Sequence, residues 1–90
     1  MTLNDRINIL ASFGNDLAAI CDGKEVEGFP GFEKIKAYNP WFTEDNVRFC
    51  LQNWHSQLNR ENLAKFCSSY NISDKLSDFC VAIVMAGNIP

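Results

Sequence analysis

The seven residues Phe79–Met85, in the order Phe-Cys-Val-Ala-Ile-Val-Met, carry no charged or hydrogen-bonding polar side chain apart from one thiol. A run of this length, rich in β-branched residues and preceded by a polar turn, predicts a strand buried on both faces, because a half-exposed strand alternates polar with apolar positions. Such a strand needs neighbours, since its backbone N–H and C=O groups find no partners within itself. Nothing else in the 90 residues resembles a strand. The expected fold is therefore mainly α, about four helices followed by one C-terminal β-strand, the front end of a larger α/β protein. Residues 1–78 are expected to form the helical N-terminal segment, and 79–90 the first strand and turn of a truncated α/β domain. Left without that domain, the strand is expected to pair with a copy of itself in a homodimer or to pack irregularly on the helices. Burying it unpaired would cost about 1–3 kcal/mol per unsatisfied backbone group.

The helices are announced by caps and stripes. Thr2 followed by Asp5 is a capping-box-like start, and Leu3, Ile7, Leu10, Gly14, Leu17 and Cys21 then recur at alternating spacings of four and three. Ile9, Phe13 and Ile20 flank this stripe and widen it to the apolar face of a core-facing helix. Gly14 lies on the stripe itself, where the missing side chain lets another helix approach closely, at about 1 kcal/mol of helix propensity. Asp22 to Gly31 is charged, holds three of the five glycines and one proline, and reads as a connection. A short helix with Phe32, Ile35 and Tyr38 on one side follows, ended by Asn39-Pro40 because the residue before proline is pushed out of the helical region. Downstream, Thr43 caps a helix that presents Val47, Cys50, Leu51, Trp54 and Leu58, with Phe42 stapled onto Val47. Asn59 caps another that presents Leu63, Phe66, Cys67 and Tyr70, with Leu58 stapled onto Leu63. These two are expected as antiparallel neighbours. Asn71 ends the last helix ahead of the polar turn Ser73 to Asp78.

Charge and composition exclude several functions. Eight basic residues against eleven acidic ones give a net charge of −3, and the basic ones are scattered, so no surface tracks a phosphate backbone and no nucleic acid is expected as partner. The longest apolar run, Phe79 to Ala86, is far short of the ~20 residues that span a bilayer. No charged and apolar leader with a small-residue cleavage site opens the chain, so the cytoplasm is the expected location. Cys21, Cys50, Cys67 and Cys80 are even in number, which permits two disulfides. With separations of 29, 17 and 13 and apolar surroundings, they read as free, buried thiols instead. His55 is the single histidine, without a second histidine or a C-x-x-C pair, so no metal site is expected. Trp41 and Phe42 read as core packing and helix stapling rather than as a ligand-stacking pair.

One resemblance extends over nearly the whole chain. The stretch Asn39-Pro40-Trp41-Phe42-Thr43-Glu44-Asp45-Asn46-Val47-Arg48-Phe49, the helical pair after it, and Val81-Ala82-Ile83-Val84-Met85-Ala86-Gly87-Asn88-Ile89-Pro90 are similar to the N-terminal part of bacterial acyl-CoA reductases. These are the bioluminescence-type fatty-acid reductases, within the aldehyde dehydrogenase superfamily. The resemblance implies a larger α/β enzyme in which a cysteine thiolate attacks a fatty acyl thioester. A nicotinamide cofactor, NADP or NAD, then delivers hydride to the enzyme thioester and an aldehyde leaves. The developing oxyanion needs donors about 2.7–3.1 Å away. By the resemblance, Asn88 is the catalytic donor, and Ala86, Gly87 and Asn88 line the nicotinamide side of a nucleotide-binding domain. Alanine and glycine stand here where the wider superfamily has proline and tryptophan, and isoleucine where it has an aromatic residue. The nucleophilic cysteine and most of the cofactor site would lie beyond Pro90, so these 90 residues are expected to be inactive and to bind no cofactor alone. The alternative is a complete small helical module that binds a protein partner or itself. A helix-turn-helix regulator ranks below both, because the helix faces carry few basic residues.

Overall fold

In the computed structural model, residues 1–72, 74 and 80–85 are described. Four helices form in order: α1 (Leu3–Cys21), α2 (Phe32–Tyr38), α3 (Glu44–Gln57) and α4 (Arg60–Ser68). Each N-cap read from the sequence is in place, whereas the helix stop read at Asn71 comes earlier, α4 ending at Ser68 with Ser69 as its C-cap and no left-handed asparagine among the described residues. At α1 the Asp5 N–H donates to Thr2 Oγ1 (3.1 Å) and the Thr2 N–H donates to Asp5 Oδ2 (2.9 Å), the reciprocal capping box. The Leu3 N–H, another of the donors that a helix start leaves free, is taken up by Asp74 Oδ1 at 2.6 Å. Thr43 Oγ1 accepts from the Asn46 N–H at 3.3 Å, with Glu44 and Asp45 in the positive first turn of α3. Asn59 Oδ1 accepts from the Asn62 N–H at 2.9 Å to open α4. Asn39 leaves α2 in an extended conformation, φ −145° and ψ 107°, as Pro40 requires. At the end of α1, Gly23 takes φ +80°, and its N–H donates to Ile20 O at 3.1 Å.

The α1 capping box makes a pH prediction. The hydrogen bond from the Thr2 backbone, and then that from the Thr2 side chain, hold the Asp5 carboxyl below its ordinary value of 3.8. A carboxylate favoured by the fold stabilises it above the unfolded value, and that contribution is lost as pH falls through the lowered folded value. The melting-temperature difference between the natural chain and Asp5→Asn is therefore expected to stay constant from neutral pH to about 5 and to shrink on acidification below 3.8. A difference that widens in acid would contradict this coupling.

Helix α1 is the hub. Both α3 and α4 pack on it, and α2 packs on α3. The side-by-side antiparallel pairing expected of α3 and α4 is thus replaced by separate docking on α1. The cause is a polar clamp: the Arg60 guanidinium, at the first residue of α4, donates to both Asn4 Oδ1 and Asn8 Oδ1 on α1. The bend between α3 and α4 is held by the Asn59 and Asn62 side-chain amides, which donate to Ser56 O at 3.0 and 3.2 Å.

Among the described residues the buried apolar side chains are Ile7, Leu17 and Ile20 of α1 and Val47 of α3. Gly14 is buried among them, and a Cβ placed on it would stand 2.9 Å from Leu58 Cβ and nearer still to the Leu58 carbonyl oxygen. The close approach read from the stripe is therefore real, and the visitor is the C-terminal end of α3. The stripe differs from expectation at Leu10, on the stripe itself, and at Ile9 and Phe13 on its flanks, all three exposed because α3 and α4 cover only one side of α1.

The C-terminal β-strand expected from Phe79–Met85 is not formed. Among the described residues there is no strand, and Cys80–Met85 runs as irregular, exposed chain, with Val84 97% exposed. Apolar, β-branched residues satisfy only the side-chain half of a strand. The ladder needs a second extended backbone, and every other described element is a helix whose backbone groups are already paired. The fold is mainly helical, and the front end of an α/β sheet expected from this run is withdrawn with the strand. Phe79 and Ala86–Pro90 lie outside the described residues.

Candidate functional site

The three residues singled out by the resemblance, Ala86, Gly87 and Asn88, also lie outside the described residues. The other candidates are placed. Cys21, Cys50 and Cys67 are free and partly buried, and Cys80 is free and exposed. The thiols are therefore free as expected, but less covered than an apolar context implied, because helices two turns to five turns long leave the flanks of each stripe open to water. Cys21 Sγ lies 3.9 Å from Arg48 O. His55 is exposed in the last turn of α3, where a cation suits the negative end of the helix. Among the described residues no hydrogen bond joins His55 to a thiol or hydroxyl, and no group of three His, Cys, Asp or Glu residues is placed to hold a metal ion. This is not the geometry of an activated nucleophile, which needs its base within hydrogen-bond reach.

Trp41 is where the structure departs most from the sequence reading. It was expected in the core, yet it is 68% exposed. The turn before α3 is built to display it: the Trp41 N–H donates to Asn39 Oδ1 at 3.1 Å, and the Phe42 N–H donates to Asn39 O at 2.9 Å. One asparagine thus fixes two consecutive amides, and the indole projects from a backbone with little freedom. Phe42, one residue on, is partly buried beside α3.

A second constellation was not foreseen. Arg48 of α3 stacks its guanidinium over the Phe32 ring, 4.7 Å from the centroid, and donates to Cys21 O and to Glu44 Oε1, the latter at 2.7 Å. It joins the end of α1, the start of α2 and the first turn of α3 at one point. Phe29 adds an edge-on contact to Phe32, with centroids 5.2 Å apart. An open cleft of about 820 Å³ lies beside this junction, with Lys24, Glu25, Glu27, Phe29, Phe32 and Arg48 in its wall. Arg48 supports structure here, since two of its donors and its ring stack are engaged by the protein itself. Its position four residues after Glu44 was the legible signal, an i, i+4 pair of favourable order.

The third feature is a row of exposed aromatic side chains along α3 and α4 that ends at Tyr70, just past α4. Phe49 and Trp54 line one shallow groove, Trp54 and Phe66 a second, and Phe66 meets Tyr70 with ring centroids 5.2 Å apart. Sequence periodicity assigned Trp54, Phe66 and Tyr70 to core faces. Phe49, two residues beyond the buried Val47, was the sign that more bulk is present than the core can take.

Among the described residues no helix is long and apolar enough to cross a membrane. Comparison with protein-family models, with curated proteins and with solved structures gives no match for this chain.

Proposed function

We propose that this chain is the helical N-terminal part of an NAD(P)H-dependent acyl-CoA reductase, which acts in the cytoplasm on a fatty acyl thioester and is inactive as these 90 residues alone. Its role in that reading is to dock against the catalytic body, while chemistry belongs to residues outside it. The observation that carries the proposal is Trp41. The segment Asn39-Pro40-Trp41-Phe42-Thr43 is, with Met85-Ala86-Gly87-Asn88-Ile89-Pro90, where the resemblance is most specific, and its turn also holds a large apolar side chain out in water. Trp is favoured as an anchor because it gives a large contact area at low conformational cost.

Exposed apolar side chains among the described residues support docking as well: besides Trp41, the residues Val81, Ile83, Val84 and Met85 of the C-terminal stretch stand in water.

The test is the intact mass of the native gene product, followed by assay of that product with a long-chain acyl-CoA and NADPH or NADH. A species far above 10.2 kDa that oxidises the cofactor only when thioester is present is expected. A native product of 10.2 kDa overturns the reductase reading and leaves the complete helical interaction module in its place. Turnover by residues 1–90 alone overturns the assignment of chemistry elsewhere.

A further inference from the structure

We infer that the aromatic row on α3 and α4 is a self-association surface, whose occupant in the 90-residue chain is the same row of a second copy. The inference stands apart from the reductase reading, since it uses only the surface of these helices.

Phe49, Trp54, Phe66 and Tyr70 follow one another without a break, joined by two shared grooves and one ring–ring contact. They are 67%, 53%, 62% and 60% exposed. At about 150–250 Å² per aromatic side chain, that leaves on the order of 500 Å² of aromatic surface in one patch. A monomer's largest apolar patch is about 300–600 Å² and is commonly a binding surface.

Area then sets the kind of interface. A standard interface buries about 800 Å² on each partner, and in homodimers about 65% of it is non-polar, or roughly 520 Å². The aromatic row supplies that amount without help from any other part of the chain. Polar residues between the rings, Asn53, Gln57 and Asn62, complete the patch with neutral donors and acceptors, and Lys65 is the one charged residue lining either groove.

Charge selects the partner. The chain as a whole carries −3, so two copies repel weakly at a distance, yet the patch presents almost no charge to repel at contact. A basic or acidic partner would find little to recognise there, whereas an identical neutral, aromatic face is complementary to it, with the two rows related by a two-fold axis. The self-association expected of the C-terminal run thus belongs to α3 and α4.

Sedimentation equilibrium of the 90-residue chain under reducing conditions tests this. A monomer–dimer equilibrium with Kd in the micromolar range is expected, and Phe66→Lys and, separately, Phe49→Lys are each expected to raise Kd at least tenfold. Both side chains are exposed, so far-UV circular dichroism of each variant should match the natural chain. Val84→Lys, on the exposed C-terminal stretch, is expected to leave Kd within twofold. A chain that stays monomeric at 200 µM overturns the inference. A dimer that survives both α3–α4 substitutions but is lost in Val84→Lys overturns it as well, and returns self-association to the C-terminal run.

Discussion

Leu17→Ala is expected to remove about 2–5 kcal/mol of stability, as large a loss as truncation of any buried side chain among the described residues. Leu17 is 6% exposed and is one of four buried apolar side chains among the described residues. The cost has two parts: lost transfer free energy of the deleted carbons, and a cavity that α1 and α3 cannot close without moving against each other. Domains of this length are stable by about 0.05–0.15 kcal/mol per residue, so the loss is a large share of the total. Urea unfolding is the appropriate measurement. The midpoint should fall steeply with little change in slope, because the substitution alters stability more than the surface exposed on unfolding. A loss below 1 kcal/mol would mean that the α1–α3 seam is not the core.

Gly14→Ala should follow closely, in the opposite direction from helix propensity. Alanine is favoured over glycine within a helix by about 1 kcal/mol. At Gly14, however, the new methyl would stand 2.9 Å from Leu58 Cβ and even closer to the Leu58 carbonyl. A backbone atom cannot rotate aside as a side-chain tip does, so the end of α3 must shift off α1. Overpacking of this kind costs about 1–3 kcal/mol, occasionally more. Because the clash is with backbone, the upper end of that range applies, and after the propensity gain the net expectation is a loss of about 2 kcal/mol, or roughly 8–16 °C in melting temperature for a domain of this size. Ser12→Ala, on the exposed side of the same helix, is the control. It should be neutral or slightly stabilising, and a Gly14→Ala variant that behaves like it would show that α3 does not seat on this glycine.

What the sequence disclosed and what it hid divide along a physical line. Local signals were legible. The Thr2–Asp5 box, the Thr43 and Asn59 caps, the stop at Asn39-Pro40 and the gap at Gly14 each depend on residues close in the chain, and each stands where it was read. Signals that need a partner were misread. The run ending at Met85 has strand-like side chains, but a strand is a relation between two backbones, and composition says nothing about whether a second one is present. The pairing of α3 with α4 failed for a similar reason, since the Arg60 guanidinium joins α4 to Asn4 and Asn8 more than fifty residues earlier. Trp54, Phe66 and Tyr70 were assigned inward because periodicity marks an apolar face without saying whether anything covers it, and Trp41 because its bulk suggested core packing. Arg48 was passed over, and its role at the meeting of three helices follows only from tertiary placement.

Among the described residues the deep side chains come from α1 and α3 alone, while α2 and α4 contribute none that are buried. This splits the chain into two kinds of position with different obligations. Folding makes demands on a short register, Ile7, Gly14, Leu17, Ile20 and Val47, where volume changes are felt at once. Most of the remaining apolar positions are answerable to whatever they meet outside the molecule. Drift at the first set would erase the domain, whereas drift at the second would redirect its choice of company and leave the helices standing.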